Sequence, residues 1–117
     1  MNIVQSQIFS ALSNPIRLRC LYLLAVSGEL CVCELVEALR IPQPSISKSL
    51  AGLKAAGLIQ DRREANWTYY SLRADLPPWK NTIVRATVGE LATNALCAAD
   101  DKRIRQLAPD RRNLSCS

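Results

Sequence analysis

The sequence predicts a mainly α fold with a small β-hairpin, in the order of a winged helix-turn-helix. Three observations carry that prediction. Apolar residues recur at helical spacing in three successive stretches, a proline-rich break leads straight into a fourth, and two β-prone arms follow it.

Val4, Ile8 and Leu12 are spaced for a short first helix. Asn14-Pro15 then reads as an N-cap followed by proline at the first helical position, where a missing N–H does no harm. Ile16, Cys20, Leu23 and Leu24 form the apolar stripe of this second helix, and Gly28 closes it. A short third helix is expected over 31–39, with Val32, Leu35, Val36 and Leu39 as its apolar positions. Ile41-Pro42-Gln43-Pro44 must break it, because each proline restricts the residue before it. The fourth helix is expected over 44–56, with Ile46, Leu50 and Leu53 on one face and Gly57 at its end. Ser45, Lys48 and Ser49 point elsewhere. Stretches 58–63 and 67–72 form a hairpin around Glu64-Ala65-Asn66, with a basic first arm. Beyond the boundary at Pro77-Pro78, Ile83, Val84, Thr87, Val88, Leu91 and Ala95 predict one long apolar helix. Residues 1–108 thus form a single domain and 109–117 a polar tail.

The chain has 117 residues, with 15 Lys and Arg against 10 Asp and Glu for a net charge of +5. The excess is concentrated. Residues 40–73 hold Arg40, Lys48, Lys54, Arg62, Arg63 and Arg73 against only Asp61 and Glu64. This block is the candidate anion-facing surface. The fourth helix suits the major groove of double-stranded DNA, where Ser45, Ser47, Lys48 and Ser49 are small or basic enough for groove contact. Gln43 and Ser45 stand near its N-terminus, which favours a phosphate. Arg62 and Arg63 bring the wing to the DNA backbone or the minor groove.

Histidine is absent, which excludes imidazole catalysis and every histidine-containing zinc site. No CXXC pair and no glycine-rich phosphate loop is present, so an enzyme is not expected. No apolar run is long enough to span a bilayer, and the first residues lack the pattern of a secretion signal, so a cytoplasmic protein is expected. The five cysteines, Cys20, Cys31, Cys33, Cys97 and Cys116, are an odd set and suit thiol or metal chemistry better than a disulfide framework.

Several segments resemble the ArsR/SmtB family of metal-sensing repressors. Ala11-Leu12-Ser13-Asn14-Pro15-Ile16-Arg17-Leu18 is similar to its opening, and Glu29-Leu30-Cys31-Val32-Cys33-Glu34-Leu35 to the arsenite-sensing box of its arsenical-resistance members. Gln43-Pro44-Ser45-Ile46-Ser47-Lys48-Ser49-Leu50 resembles the recognition helix, and Arg62-Arg63-Glu64 with Trp67-Thr68-Tyr69-Tyr70-Ser71-Leu72 the wing. The resemblance covers roughly residues 5–75 and implies a homodimeric repressor that binds an inverted repeat of operator DNA and releases it when metalloid binds. The chain departs from the family where Ser47-Lys48-Ser49 replaces Ser-Arg-His and where Ala65-Asn66 stands at the wing tip. Val36 stands where some members carry a third cysteine.

As(III) or Sb(III) is soft and pairs with thiolates, and trivalent arsenic takes three in a pyramid. Cys31 and Cys33 supply two. Residues two apart on a helix are rotated by about 200°, so both sulfurs reach one ion only if the helix start unwinds. For the third ligand Cys116 is favoured for its place in the tail, with Cys97 as the fallback on the last helix. Two thiolates alone suit a methylated arsenical. The alternatives are a thiol redox switch on the same pair, a soft divalent metal such as Cd or Pb as inducer, and a winged helix used only for protein contact. The apolar last helix is expected to pair with the first across a two-fold axis.

Overall fold

A computed structural model describes residues 3–107. Its elements are α1 (Gln5–Leu12), α2 (Pro15–Ser27), β1 (Leu30–Cys31), α3 (Val32–Leu39), α4 (Gln43–Ala55), β2 (Ile59–Glu64), β3 (Trp67–Leu72), α5 (Pro78–Leu91) and α6 (Ala95–Gln106). The winged helix-turn-helix order is present: α3, a tight turn, α4, then the β2–β3 wing.

Helix α2 is central, with Cys20, Leu21 and Leu23 fully buried. Asn14 caps it as expected, its Oδ1 accepting from the backbone N–H of Ile16 at 2.9 Å and of Arg17 at 3.1 Å. Arg17 reaches back to α1, donating to the carbonyls of Ala11 at 2.6 Å and Ser10 at 3.1 Å. Those are carbonyls at the end of α1, and that of Ser10 also accepts from the N–H and hydroxyl of Ser13. Ile8 joins α1 to the core.

The turn between α3 and α4 is made by Arg40, in the left-handed conformation at φ 58°, whose N–H returns to the Val36 carbonyl at 2.9 Å. Helix α4 starts at Gln43, one residue before the expected Pro44, because the proline sits in the first turn and needs no N–H partner there. Ile46, Leu50 and Leu53 are fully buried on its inner face. Gly57, at φ 75°, lets the chain leave α4 for the wing.

Two elements differ from expectation. The hairpin is part of a three-stranded antiparallel sheet, ordered β1-β3-β2, in which Leu30 pairs with Tyr70 and Cys31 with Tyr69. A two-residue strand has no periodicity to read. The long apolar helix is two helices: α5 ends at Leu91, and Asn94 starts α6 by accepting from the N–H groups of Leu96 at 2.9 Å and Cys97 at 3.1 Å. An asparagine cap gives the backbone an alternative to continuing the helix.

Helix α6 folds back on α2 and α3. Its Asp100, fully buried, receives Arg19 through two bonds of 2.8 Å and Arg103 through one of 2.8 Å. The same arginines donate to the last carbonyls of α3, Arg19 to Leu39 at 3.0 Å and Arg103 to Ala38. Among the described residues no helix is long and apolar enough to cross a membrane. The 109–117 tail lies outside the described residues.

Candidate thiol site and nucleic-acid interface

Leu30 and Cys31 are extended because they pair with β3, and Glu29 lies in the bend just before them. Cys31 is the N-cap of α3, at φ −94° and ψ 167°, and not its first helical residue. Its Sγ takes the N–H of Glu34, and the Glu34 carboxylate accepts the Cys31 N–H at 2.9 Å. This is a capping box with sulfur in the place usually held by a hydroxyl.

The geometry corrects the expectation that α3 must unwind. Because Cys31 precedes the helix, its side chain is free of the helical rotation, and Cys31 Sγ lies 3.2 Å from Cys33 Sγ. The two sulfurs are adjacent without any unwinding of α3, and Cys33 is also disulfide-bonded. An ion about 2.3 Å from each would see them about 90° apart, narrower than a tetrahedral site and close to a pyramidal one. Cys31 is buried at 1% exposure, while Cys33 is half-buried. Burial pushes the Cys31 thiol up to about 11, against the Glu34 backbone N–H, which pulls it down.

The other cysteines separate clearly. Cys20 is fully buried, and burial raises its thiol to about 12. Cys97 is 1% exposed on α6, its thiol also raised by burial. The fallback role of Cys97 is therefore corrected. The break at Asn94 turns α6 inward, so Cys97 packs in the core of its own chain, and no cluster of three or more metal-ligating side chains exists among the described residues. Cys116 lies outside the described residues.

On α4, Gln43, Ser45, Ser47 and Lys48 are exposed together. Ser49 is not: it is 6% exposed and belongs to the inner face, so its assignment to groove contact is corrected. Leu53, four residues on, shares its face of the helix and is fully buried. In the wing, Arg63 is exposed and makes no ion pair among the described residues. Arg62 is held. Its guanidinium donates to both Glu29 oxygens at 2.7 Å and to Glu64 at 2.7 Å, and lies 4.7 Å over the Tyr69 ring. Spacing alone could reveal Glu64, two residues on; Glu29 is reached only through the fold.

Residues 14–61 match the model of the bacterial regulatory proteins of the arsR family. The chain is 38% identical over 109 residues to the arsenical resistance operon repressor of Escherichia coli, covering 84% of this chain and 92% of that protein. The chain belongs to the ArsR family. It is also 43% identical over 81 residues to the arsenic resistance transcriptional regulator ArsR1 of Pseudomonas putida, a match spanning 69% of this chain and 63% of that protein. Among solved structures, reduced HlyU from Vibrio cholerae is similar at a TM-score of 0.62 and 31% identity, over 76% of this chain and 85% of that one. As an ArsR-family member the chain is a transcriptional regulator and not an enzyme.

Proposed function

We propose that this ArsR-family regulator represses transcription as a homodimer on an operator inverted repeat, and that it releases the DNA when As(III) or Sb(III) binds Cys31 and Cys33. One observation carries the proposal: two sulfurs 3.2 Å apart at the start of α3, the first arm of the helix-turn-helix. The names of the arsenical-resistance relatives favour the same inducer.

The donor set fits a trivalent metalloid better than a divalent metal. A divalent ion must displace the proton of a thiol raised to about 11. The hydroxide of a neutral trivalent arsenic acid leaves instead as water, carrying the thiol proton with it. Ligation replaces the S–H bond of Cys31 with a bond to the metalloid and leaves lone pairs on Sγ, so the atom that caps α3 is also the atom held by the ligand. That shared atom couples the ligand to the orientation of α3 and hence α4. Cys116 is the third ligand in this proposal, because Cys20 and Cys97 are in the core.

For DNA, Gln43, Ser45, Ser47 and Lys48 form the groove-facing set, with Arg63 on the backbone. Ile3, Val4 and Phe9, each more than half exposed around α1, supply the apolar surface for a second copy.

Fluorescence anisotropy on a duplex from upstream of the gene tests the proposal, at fixed salt because phosphate contacts make affinity salt-dependent. Arsenite is expected to release the wild type and to have no effect on Cys31→Ser or Cys33→Ser, with Cys116→Ser intermediate. Tight binding that arsenite leaves undisturbed would overturn the sensor mechanism. Cys33 is disulfide-bonded, which also favours a thiol redox switch at this site, for which release by peroxide in the absence of arsenite is the distinguishing result.

A further inference from the structure

The thiol site and the wing are joined by a continuous row of side chains. Register places Cys31 opposite Tyr69 and Tyr69 opposite Arg62, so the three stand in one line across β1, β3 and β2. Directly paired residues share a face of the sheet. Arg62 closes the row by stacking on Tyr69 at 4.7 Å and by gripping both oxygens of Glu29, which lies two residues before Cys31. A bidentate arginine–carboxylate pair is directional, so it fixes orientation as well as distance. Glu64, at 2.7 Å on the third nitrogen of the same guanidinium, holds Arg62 from the side of the wing tip.

We propose that Glu29 and Arg62 are positioning residues that transmit the state of the thiol pair to the wing, and that Arg62 serves this role instead of contacting phosphate. The proposal rests on the metalloid-sensor function above. Two carboxylates and an aromatic face already occupy the guanidinium, so a phosphate would have to displace them. Arg63, the neighbouring cation, is exposed and has no such partners among the described residues, and it is the one placed to meet DNA. When a ligand engages Cys31 Sγ, the change at that atom passes along β1 to the Glu29 carboxylate, and Arg62 carries it into β2.

The test compares arsenite-induced weakening of DNA binding in the full-length wild type, Glu29→Gln, Arg62→Gln and the exchanged pair Glu29→Arg/Arg62→Glu. Each protein is titrated with sodium arsenite on the same duplex at several salt concentrations. Typical couplings span about 5- to 150-fold. Both single variants are expected to lose at least about fivefold of the weakening factor, while still binding arsenite by the thiolate absorbance change. The exchanged pair is expected to regain most of it. A merely structural role would shift affinity without restoring the coupling in the exchanged pair. The salt slope of Arg62→Gln is expected to match wild type. A slope smaller by about one, the signature of a lost phosphate contact, would overturn the proposal. So would a Glu29→Gln protein released as fully as wild type. A wild type that arsenite does not release would instead take down the sensor function and this proposal with it, which separates the two failures.

Discussion

The two ends of α3 are held by opposite kinds of chemistry. At the C-terminal end, Arg19 and Arg103 donate to the Leu39 and Ala38 carbonyls and are locked by the fully buried Asp100. Two cations there also complement the negative end of the helix dipole. At the N-terminal end, the cap is a single sulfur, backed by the Glu34 carboxylate. A charge-assisted network several bonds deep resists any small ligand. A thiol cap is weak as a hydrogen-bond acceptor and strong as a ligand for soft ions. Helix α3 is thus anchored by charge at one end and capped by a single thiol at the other, and the thiol end is the one that pairs with β3 of the wing.

Breaking the anchored end has the largest expected effect. Asp100→Ala leaves two arginines facing each other without their common counter-ion, and we expect a loss of about 3 kcal/mol in urea unfolding. A loss below about 1 kcal/mol would mean that the arginines relax to solvent, and the two ends would then be equally soft. The thiol end comes next. Cys31→Ala removes the cap and is expected to cost about 1 kcal/mol, whereas Cys31→Ser keeps an acceptor at the same place and is expected to fold as stably as wild type. Under the proposed function, both are expected to lose release by arsenite. The serine variant is the sharper one, since it separates capping from ligation at one atom. If it were as unstable as the alanine variant, the cap would not be what Cys31 contributes to α3.

Much of this frame was legible in the sequence because it is written in local rules. Asn14-Pro15, Gly28, the proline break and the apolar face of α4 each act within a few residues, and each stands where the sequence puts it. The thiol pair was legible as a pair, but its geometry was not. Cysteine is absent from the usual list of N-caps, and the signal that could have found it is Cys31-x-x-Glu34, a capping box with sulfur for oxygen. Ser49 was misread for a related reason: a small polar residue on a helix is consistent with a groove contact or a tight packing site, and only burial distinguishes them. The split between α5 and α6 hung on one asparagine within an otherwise helical pattern. The grip of Glu29 on Arg62 spans 33 residues and depends on β1, a strand too short to announce itself.

The smallest expected effect lies in that grip, and its pH dependence shows which interaction is at work. The hydrogen bond from Arg62 holds the Glu29 carboxyl below its ordinary 4.5. A carboxyl whose folded value is depressed contributes stability that is fully present above the unfolded value and is lost as pH falls through the folded one. Wild type should therefore melt slightly above Glu29→Gln at neutral pH, by less than the difference that Cys31→Ala makes. The gap should close as the pH is taken well below 4.5. Thermal unfolding of both proteins across that range measures it. A gap that persists in acid would mean that the side chain stabilises by packing and not by charge. The pair is half open to water, and exposed ion pairs add little to stability. A bidentate pair that contributes so little to folding, yet ties the thiol segment to the wing, is better suited to setting the wing's orientation than to holding the domain together.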